Sequence, residues 1–408
     1  MTRGPRAAAA ALLAAALVGC ATGGAAPEPA AGPLTAILRF HPGLRRVLRA
    51  APSYRLQVVL GELQPGADGR PVLVQHGYRL GAEYFYPAST VKLFAAVAAL
   101  ERLEELRRET GLPIDVDTAL VFHPLFADDA LEDADPSNLA GGRITAGHEI
   151  RKLFLVSDNA AFNRLYELVG QDGLAAALER AGLTGARLVH RLSEARSAEE
   201  NRRAPRIDLV GDDFRHTIPE RTAAPPPPRP AIAGLAVGRA HIAGDQRIGR
   251  PMDFSVKNHV PLAELQRGLC MVVRPDADCG GRGFALDDDD RALLLAAMSE
   301  YPRQSANPVY DPSEYPDDYV KYLLPGLERV LAKERLRIYN KIGQAYGFTT
   351  ENAWVVDGAT GRSFFLAATL YTNRDGVLND DRYEYQEIAL PFLADLGEAA
   401  ARQLWVEP

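Results

Sequence analysis

The stretch "YPASTVKLFAAVAALERL", Tyr86 to Leu103, decides how this chain folds. After Pro87 it predicts one long helix that is apolar on nearly every face, and a helix of that kind lies inside a protein. Lys92 falls in the first turn of the helix, three residues after Ser89. Its position needs a reason, because burying an ammonium group without a partner is costly.

Ser89 and Lys92 together predict a chemical role. Residues three apart on a helix share a face, so the hydroxyl and the amine can meet. Desolvation and the positive end of the helix both disfavour the charged amine, and a neutral amine is a general base that can turn a serine into a nucleophile. The backbone N–H of Ser89 can point at a developing oxyanion. The alternative is a capping serine followed by a lysine that reaches solvent.

Composition bounds the remaining possibilities. The 408 residues are 47% hydrophobic, with a formal net charge of -7, which allows one large domain or two modest ones. No basic run or basic helix face occurs, so we expect no nucleic-acid partner. Six of the 46 basic residues are lysines, so a lysine within a motif is informative here.

The N-terminus predicts export. Arg3 and Arg6 precede an apolar run too short to span a bilayer, and the run ends in "LVGC", which is similar to the lipobox of bacterial lipoproteins. Residues 1–20 are therefore expected to be a signal peptide, with Cys20 as the lipidated first residue of the mature protein and 21–33 as a flexible tether. The expected location is the cell envelope, anchored to the membrane and facing the periplasm. Ordinary cleavage near a chance cysteine is the alternative.

The pattern of residues 34–408 predicts a single domain of the α+β class. Strand signals near both ends indicate an antiparallel sheet built from both chain ends and flanked by terminal helices, the first of them "LTAILRFHPGLRRVLRA". A mostly helical subdomain, about 101–331, is inserted between them. The proline- and glycine-rich segment 211–251 predicts a polyproline stretch and a short hairpin that rims a cleft.

The two remaining cysteines, Cys270 and Cys279, leave two alternatives open. In an oxidising compartment they can pair and close a short loop at a helix end, or they can remain buried thiols. No histidine lies at ligand spacing from them, so we expect no metal site there.

Two further motifs follow along the chain. Ser157, Asp158 and Asn159 link two predicted helices, and in a short extended link Ser157 and Asn159 would point the same way, although such residues also serve as simple N-caps. Lys341 lies on a predicted strand just before Gly343, where a glycine lets another backbone approach closely. For this motif taken alone, a surface lysine on an edge strand is the preferred interpretation.

Taken in order, S-x-x-K, S-D-N and K-x-G resemble the class A β-lactamase family within the penicillin-recognising serine hydrolases. The resemblance covers nearly all of 34–408 except 211–251, and it implies a β-lactamase/transpeptidase-like fold and an acyl-enzyme. It also implies these roles: Ser89 is the nucleophile, Lys92 its proton partner and Ser157 a proton relay; Asn159 binds the substrate amide, Lys341 supports a substrate carboxylate, and Gly343 lies beside Gln344, whose N–H completes the oxyanion hole with that of Ser89.

Two departures from that pattern concern binding and deacylation. Ile342 stands where the family has a hydroxyl residue that meets the substrate carboxylate, and losing a hydrogen bond to a charged group costs about 1.5–3 kcal/mol. The deacylating glutamate of the family stands four residues before an asparagine, but Ser197 occupies that position relative to Asn201. Glu199 is the candidate that we assign, and a solvated surface residue is the alternative.

Three functions are compatible with these residues. The first is β-lactam hydrolysis through an acyl-enzyme. The second is a cell-wall D,D-peptidase or esterase of the same superfamily with slow deacylation. The third is a non-catalytic envelope-binding lipoprotein. We expect a small β-lactam or peptidoglycan-peptide substrate, no cofactor or metal, a membrane contact only through the lipid, and a monomer.

Overall fold

A computed structural model describes residues 32–227 and 231–406. The predicted signal peptide with Cys20, and the tether up to residue 31, lie outside the described residues. In the described ranges no helix has both the length and the apolar character that crossing a bilayer requires. Export and lipidation therefore stay predictions.

The helices and strands follow the predicted order of helix, strands, helices, strands and helix. The helices are α1 Pro33–Phe40, α2 Arg45–Arg49, α3 Lys92–Thr110, α4 Ala146–Leu155, α5 Asn159–Val169, α6 Gln171–Ala181, α7 Leu262–Val273, α8 Asp288–Ser299, α9 Leu324–Leu327 and α10 Leu390–Ala401. The strands are β1 Gln57–Pro65, β2 Pro71–Tyr78, β3 Ala119–Phe122, β4 Arg203–Ala204, β5 Ile207–Val210, β6 Arg215–Ile218, β7 Arg221–Thr222, β8 Ala236–Val237, β9 Ala240–Ala243, β10 Gln246–Ile248, β11 Met252–Asp253, β12 Leu336–Asn340, β13 Gly343–Ala345, β14 Phe348–Asp357, β15 Ser363–Tyr371 and β16 Val377–Leu378.

The central sheet is built from both ends of the chain. Its order is β12-β14-β15-β1-β2, with β13 also paired to β14, and every pairing is antiparallel. The predicted α+β class and the sheet built from both chain ends are confirmed. Strands β1 and β15 meet at the centre, so the two ends of the chain hold each other in place.

Side chains alternate across this sheet and separate two cores. On β1, Val59 faces a core made with α3, α5 and α7, whereas Val58 and Leu60 face a second core made with α1 and α10. Successive strand residues point to opposite faces, so one strand serves both cores. The first core holds α3 under the sheet, and this arrangement positions Ser89 and Lys92.

Two details differ from the expectations. The predicted N-terminal helix is broken into α1 and α2, because His41 takes an extended conformation before Pro42, as residues before proline tend to do. The helical subdomain also contains the short strands β3 to β8 and β11, which the sequence did not predict.

The segment 211–251 contains the predicted hairpin. Strands β9 and β10 pair with Gln246 opposite Ala243, and β9 also pairs in parallel with β16. The polyproline prediction falls partly on residues 228–230, which lie outside the described residues. The hairpin therefore connects the segment to the C-terminal part of the chain.

The two cysteines form a disulfide. Cys270, in α7, is bonded to Cys279, nine residues later, and both side chains are buried in the first core. Of the two alternatives that the sequence leaves open, the structure shows the pair. The bond closes the loop that follows α7.

Candidate active site

Ser89 lies on a strained turn. The 3-10 turn Ala88–Val91 leads directly into α3, and Ala88 takes a φ of 46°. Such left-handed backbone costs a non-glycine residue on the order of 1–2 kcal/mol and persists only where its surroundings hold it. Thr90 Oγ1 donates to Pro87 O over 2.7 Å and fixes the turn. The result is a serine that is half-buried and faces a cleft.

The Lys92 amine is fully buried and is held by the S-D-N link. Its Nζ donates to Ser157 O at 2.5 Å, to Asn159 Oδ1 at 2.6 Å and to Ser157 Oγ at 3.3 Å. Burial lowers the pKa of Lys92 to about 7, although the nearby Asp158 opposes the shift. Among residues 32–227 and 231–406 no hydrogen bond reaches Ser89 Oγ, so the predicted hydrogen bond between the Ser89 hydroxyl and the Lys92 amine is not made. Catalytic hydrogen bonds are often loose until substrate binds.

The S-D-N link presents its side chains as the sequence predicts, through a different backbone. Ser157 is not extended but takes a left-handed φ of 60°. Asp158 caps α5, and its side chain accepts from Ala161 N at 2.9 Å. Asn159 uses both ends of its amide, since its Nδ2 donates to Ser193 Oγ at 2.7 Å. The link thus joins the buried amine to the cleft.

Two lysines share one hydroxyl. Lys341 Nζ donates to Ser157 Oγ at 2.8 Å and to Ile342 O at 3.2 Å. Burial, and next the proximity of Lys92, lower the pKa of Lys341 well below its usual range. Because a hydroxyl has two acceptor positions and one donor, Ser157 accepts from both amines and keeps its own proton to donate. This arrangement is suited to passing a proton.

A glycine is required at position 343 because the backbone there lies very close to the turn that carries Ser89. A Cβ at this position would lie 2.4 Å from Pro87 O and 3.0 Å from Ser89 N. The start of β13 therefore packs directly on the turn that carries Ser89, as the glycine predicted. Gln344, the next residue, lines the cleft with Ser89, where its backbone N–H is a candidate oxyanion donor.

The cleft at Ser89 has a volume of about 380 Å³. One wall comes from the S-D-N link and the loop after α6, and the floor comes from the Ser89 turn and β13. The residues that line it are Tyr86, Ala88, Ser89, Asn159, Leu192, Ser193, Gln344, Ala345, Tyr346, Asn379, Asp381, Tyr383 and Tyr385.

The opposite wall is the segment 379–385, which we name the cleft-wall loop. Tyr383 Oη accepts from Asn379 N at 2.7 Å, and Tyr385 Oη accepts from Gly347 N at 2.8 Å. Asn379 Nδ2 donates to Ile242 O, on the hairpin of the 211–251 segment, at 3.1 Å. The hairpin therefore supports the wall of the cleft and does not line it.

The structure does not bring Glu199 to Ser89. Glu199 is exposed and lines a different pocket. Its neighbours are no closer to the cleft lining, since Glu194 accepts from Asn163 Nδ2 at 2.6 Å and Glu200 accepts from Ser197 N at 2.7 Å. The deacylation role assigned to Glu199 therefore has no geometric support.

Ile342 lies away from the cleft. It is buried in the second core, on the side of the terminal helices, and is absent from the cleft lining. Lys341 is buried too and does not line the cleft, although it was expected to support a substrate carboxylate.

Sequence reasoning missed the cleft-wall loop and Ser193. The loop reads "NDDRYEY", which is typical of an exposed turn, and nothing in it indicates that it lines the cleft at Ser89. Its placement depends on the pairing of β16 with β9, which joins segments more than a hundred residues apart. No local pattern reports such a pairing.

Comparison with known families agrees with this site. Residues 75–212 match the model described as "Beta-lactamase enzyme family". This segment is about a third of the chain and contains Ser89, Lys92, Ser157 and Asn159, so the match confirms the resemblance at the S-x-x-K and S-D-N motifs, whereas the motif at Lys341 lies outside it. In this segment the chain resembles the β-lactamase-like hydrolases.

Several solved structures are similar to the chain at low sequence identity. A β-lactamase from Desulfarculus baarsii is 20% identical, with 90% of this chain and 98% of that chain covered and a TM-score of 0.48. A β-lactamase from Streptosporangium roseum is 17% identical, with 88% and 95% covered and a TM-score of 0.48. One from Burkholderia vietnamiensis is 16% identical, with 90% and 96% covered and a TM-score of 0.48. No curated protein sequence matches the chain.

Proposed function

We propose that the protein is an active-site serine hydrolase that forms an acyl-enzyme on Ser89, with a β-lactam or a related amide or ester as the acyl donor. The observation that carries the proposal is the buried Lys92 amine, one helical turn after Ser89 and bonded to both Ser157 and Asn159. A neutral amine one helical turn from the nucleophile is suited to act as its base.

Each step of acylation has a residue to perform it. Ser89 Oγ bonds to the carbonyl carbon while its proton passes to Lys92 Nζ. The N–H groups of Ser89 and Gln344 stabilise the oxyanion. When the bond to the leaving nitrogen or oxygen breaks, that atom takes a proton through Ser157, which the amine replenishes. Water then cleaves the ester on Ser89 and releases the acid.

A second candidate is a related cell-wall peptidase or esterase that deacylates slowly. The observation that favours it is the location of Glu194, Glu199 and Glu200, none of which lines the cleft among the described residues. Without a carboxylate on that side to activate water, the ester on Ser89 would persist.

The experiment compares intact masses of the wild type and Ser89→Ala after incubation with a chromogenic cephalosporin and with a p-nitrophenyl ester. We expect an adduct on the wild type and none on the variant. Colour release in excess of one equivalent favours rapid hydrolysis, and one equivalent favours the slow enzyme. Absence of both adduct and colour with both donors would leave only a binding protein.

The acylation rate should depend on pH through Lys92. Because only the neutral amine accepts a proton, and its pKa is about 7, the rate should rise with pH, reach half its maximum near pH 7 and fall about tenfold per unit well below that. Rapid-quench mass spectrometry from about pH 5 to 9 measures it. A rate independent of pH across this range would contradict a basic role for Lys92.

A further inference from the structure

The cleft at Ser89 has one charged lining residue. Of the described residues that line it, only Asp381 carries a charge at neutral pH; the rest are small, aliphatic, aromatic or neutral polar. Asp381 is exposed, and among the described residues its carboxylate makes no hydrogen bond or ion pair; after burial, its charge is one of the influences that raise the pKa of Tyr383. A lone carboxylate in a confined cleft favours a positive ligand group, because low-dielectric walls weaken screening.

Asp381 is held on a fixed wall. It takes a left-handed φ of 59°, and Asn379 before it takes 61°, which are conformations that aspartate and asparagine tolerate better than most residues. The cleft-wall loop is fixed from both ends, by the bonds of Tyr383 and Tyr385 to backbone amides and by the pairing of β16 with β9. The carboxylate therefore has a defined place at the cleft.

Groups that would bind a substrate carboxylate are missing from the described cleft lining. Lys341 is fully buried behind Ser157, where its Nζ donates to Ser157 Oγ, and it does not line the cleft. Ile342, at the position of a carboxylate-binding hydroxyl in the resembling family, is part of the second core. Lys257 lies with its Nζ 6.0 Å from the centre of the Tyr346 ring, and Arg382 follows Asp381, but neither lines the cleft.

Aromatic rings complete a surface that suits a cation. Tyr86 and Tyr346 stand edge to face with centroids 5.2 Å apart, and Tyr383 and Tyr385 pack together at 5.1 Å. All four line the cleft. The faces of aromatic rings attract ammonium groups, and a nearby carboxylate strengthens that attraction.

We infer that the acyl donor of this site carries a positive charge in place of the usual carboxylate near its reacting carbonyl, and that Asp381 is the residue that selects it. The inference rests on the proposed acylation of Ser89 and adds the charge class of the substrate. It assigns Asp381 to specificity and gives it no part in the acylation chemistry.

The test uses three p-nitrophenyl esters of equal length whose acyl groups end in trimethylammonium, tert-butyl or carboxylate. The second-order rate of Ser89 acylation is measured for the wild type and for Asp381→Asn, which keeps a residue that tolerates the left-handed backbone. The ratio of wild type to variant cancels the intrinsic reactivity of each ester. Glu387→Gln, an exposed acidic position outside the cleft lining, is the matched control.

We expect Asp381→Asn to slow the cationic ester about three- to tenfold, to leave the neutral ester unchanged and to accelerate the anionic one, with no such pattern in Glu387→Gln. Equal effects on all three esters, or a wild type that prefers the carboxylate ester, would overturn the charge selection while Ser89 is still acylated. If none of the esters leaves an adduct on Ser89, the proposed function itself fails, and the inference fails with it.

Discussion

Replacing Lys92 by alanine is expected to lower the rate of Ser89 acylation by about 10²–10⁴-fold, the usual contribution of a positioned general base. The variant removes the amine that lies one helical turn from Ser89 and contacts the S-D-N link at both Ser157 and Asn159. The rate is measured by intact mass with a p-nitrophenyl ester at pH 8, where the wild-type amine is mostly neutral.

The variant also leaves Ser157 O and Asn159 Oδ1 without their donor, so a loss of structure must be separated from a loss of the base. Lys92→Met, of similar volume, and a circular dichroism melt of both variants provide this control. The role assigned to Lys92 predicts that both variants lose acylation while most of the protein is folded. A folded Lys92→Ala protein that is acylated within about threefold of the wild-type rate would refute it.

Adding one methyl group at Gly343 is expected to lower acylation by about 10²-fold or more. In Gly343→Ala the new Cβ would lie 2.4 Å from Pro87 O, which is backbone and cannot rotate away. Either β13 or the Ser89 turn must shift, and a displacement of about 1 Å at a reacting group costs on the order of 10²-fold. The acylation rate and the melting temperature of the variant measure the two consequences.

Gly249→Ala is the matched control, because a Cβ at Gly249 has no heavy atom within 4 Å. This variant should match the wild type in rate and in melting temperature. Acylation of Gly343→Ala at the wild-type rate would show that the Ser89 turn and β13 can separate without consequence, and the close approach would then have no role in catalysis.

The sequence predicted best where chemistry and local periodicity agree. The apolar run of α3 and the lysine within it foretold a buried amine, and the glycine before Gln344 foretold a close backbone approach. The two-ended sheet followed from strand signals at both termini. Each individual helix, strand or glycine pattern lies within fewer than twenty consecutive residues, so it can be recognised without knowing the fold.

The remainder depends on contacts between distant segments. Ser157, whose backbone is left-handed, contacts two lysines, one of them 184 residues away. Asp381 reaches the cleft because β16 pairs with a hairpin far earlier in the chain. Glu199 was assigned only on the assumption that its loop is flexible, but it lines a pocket with Pro225 and Pro226 instead. Spacing alone does not report the path of a loop.

Because the 240–248 hairpin supports the cleft-wall loop, the segments proposed to carry the chemistry are separate from those that support the wall of the cleft. The groups proposed to make and break bonds lie on the Ser89 turn with α3, on the S-D-N link and on β13. The cleft-wall loop is supported by the 240–248 hairpin, which does not line the cleft. A change in the length of the hairpin can therefore alter substrate specificity without displacing the reactive groups. Proteins related by such a scaffold can therefore differ in substrate specificity while they keep one reaction.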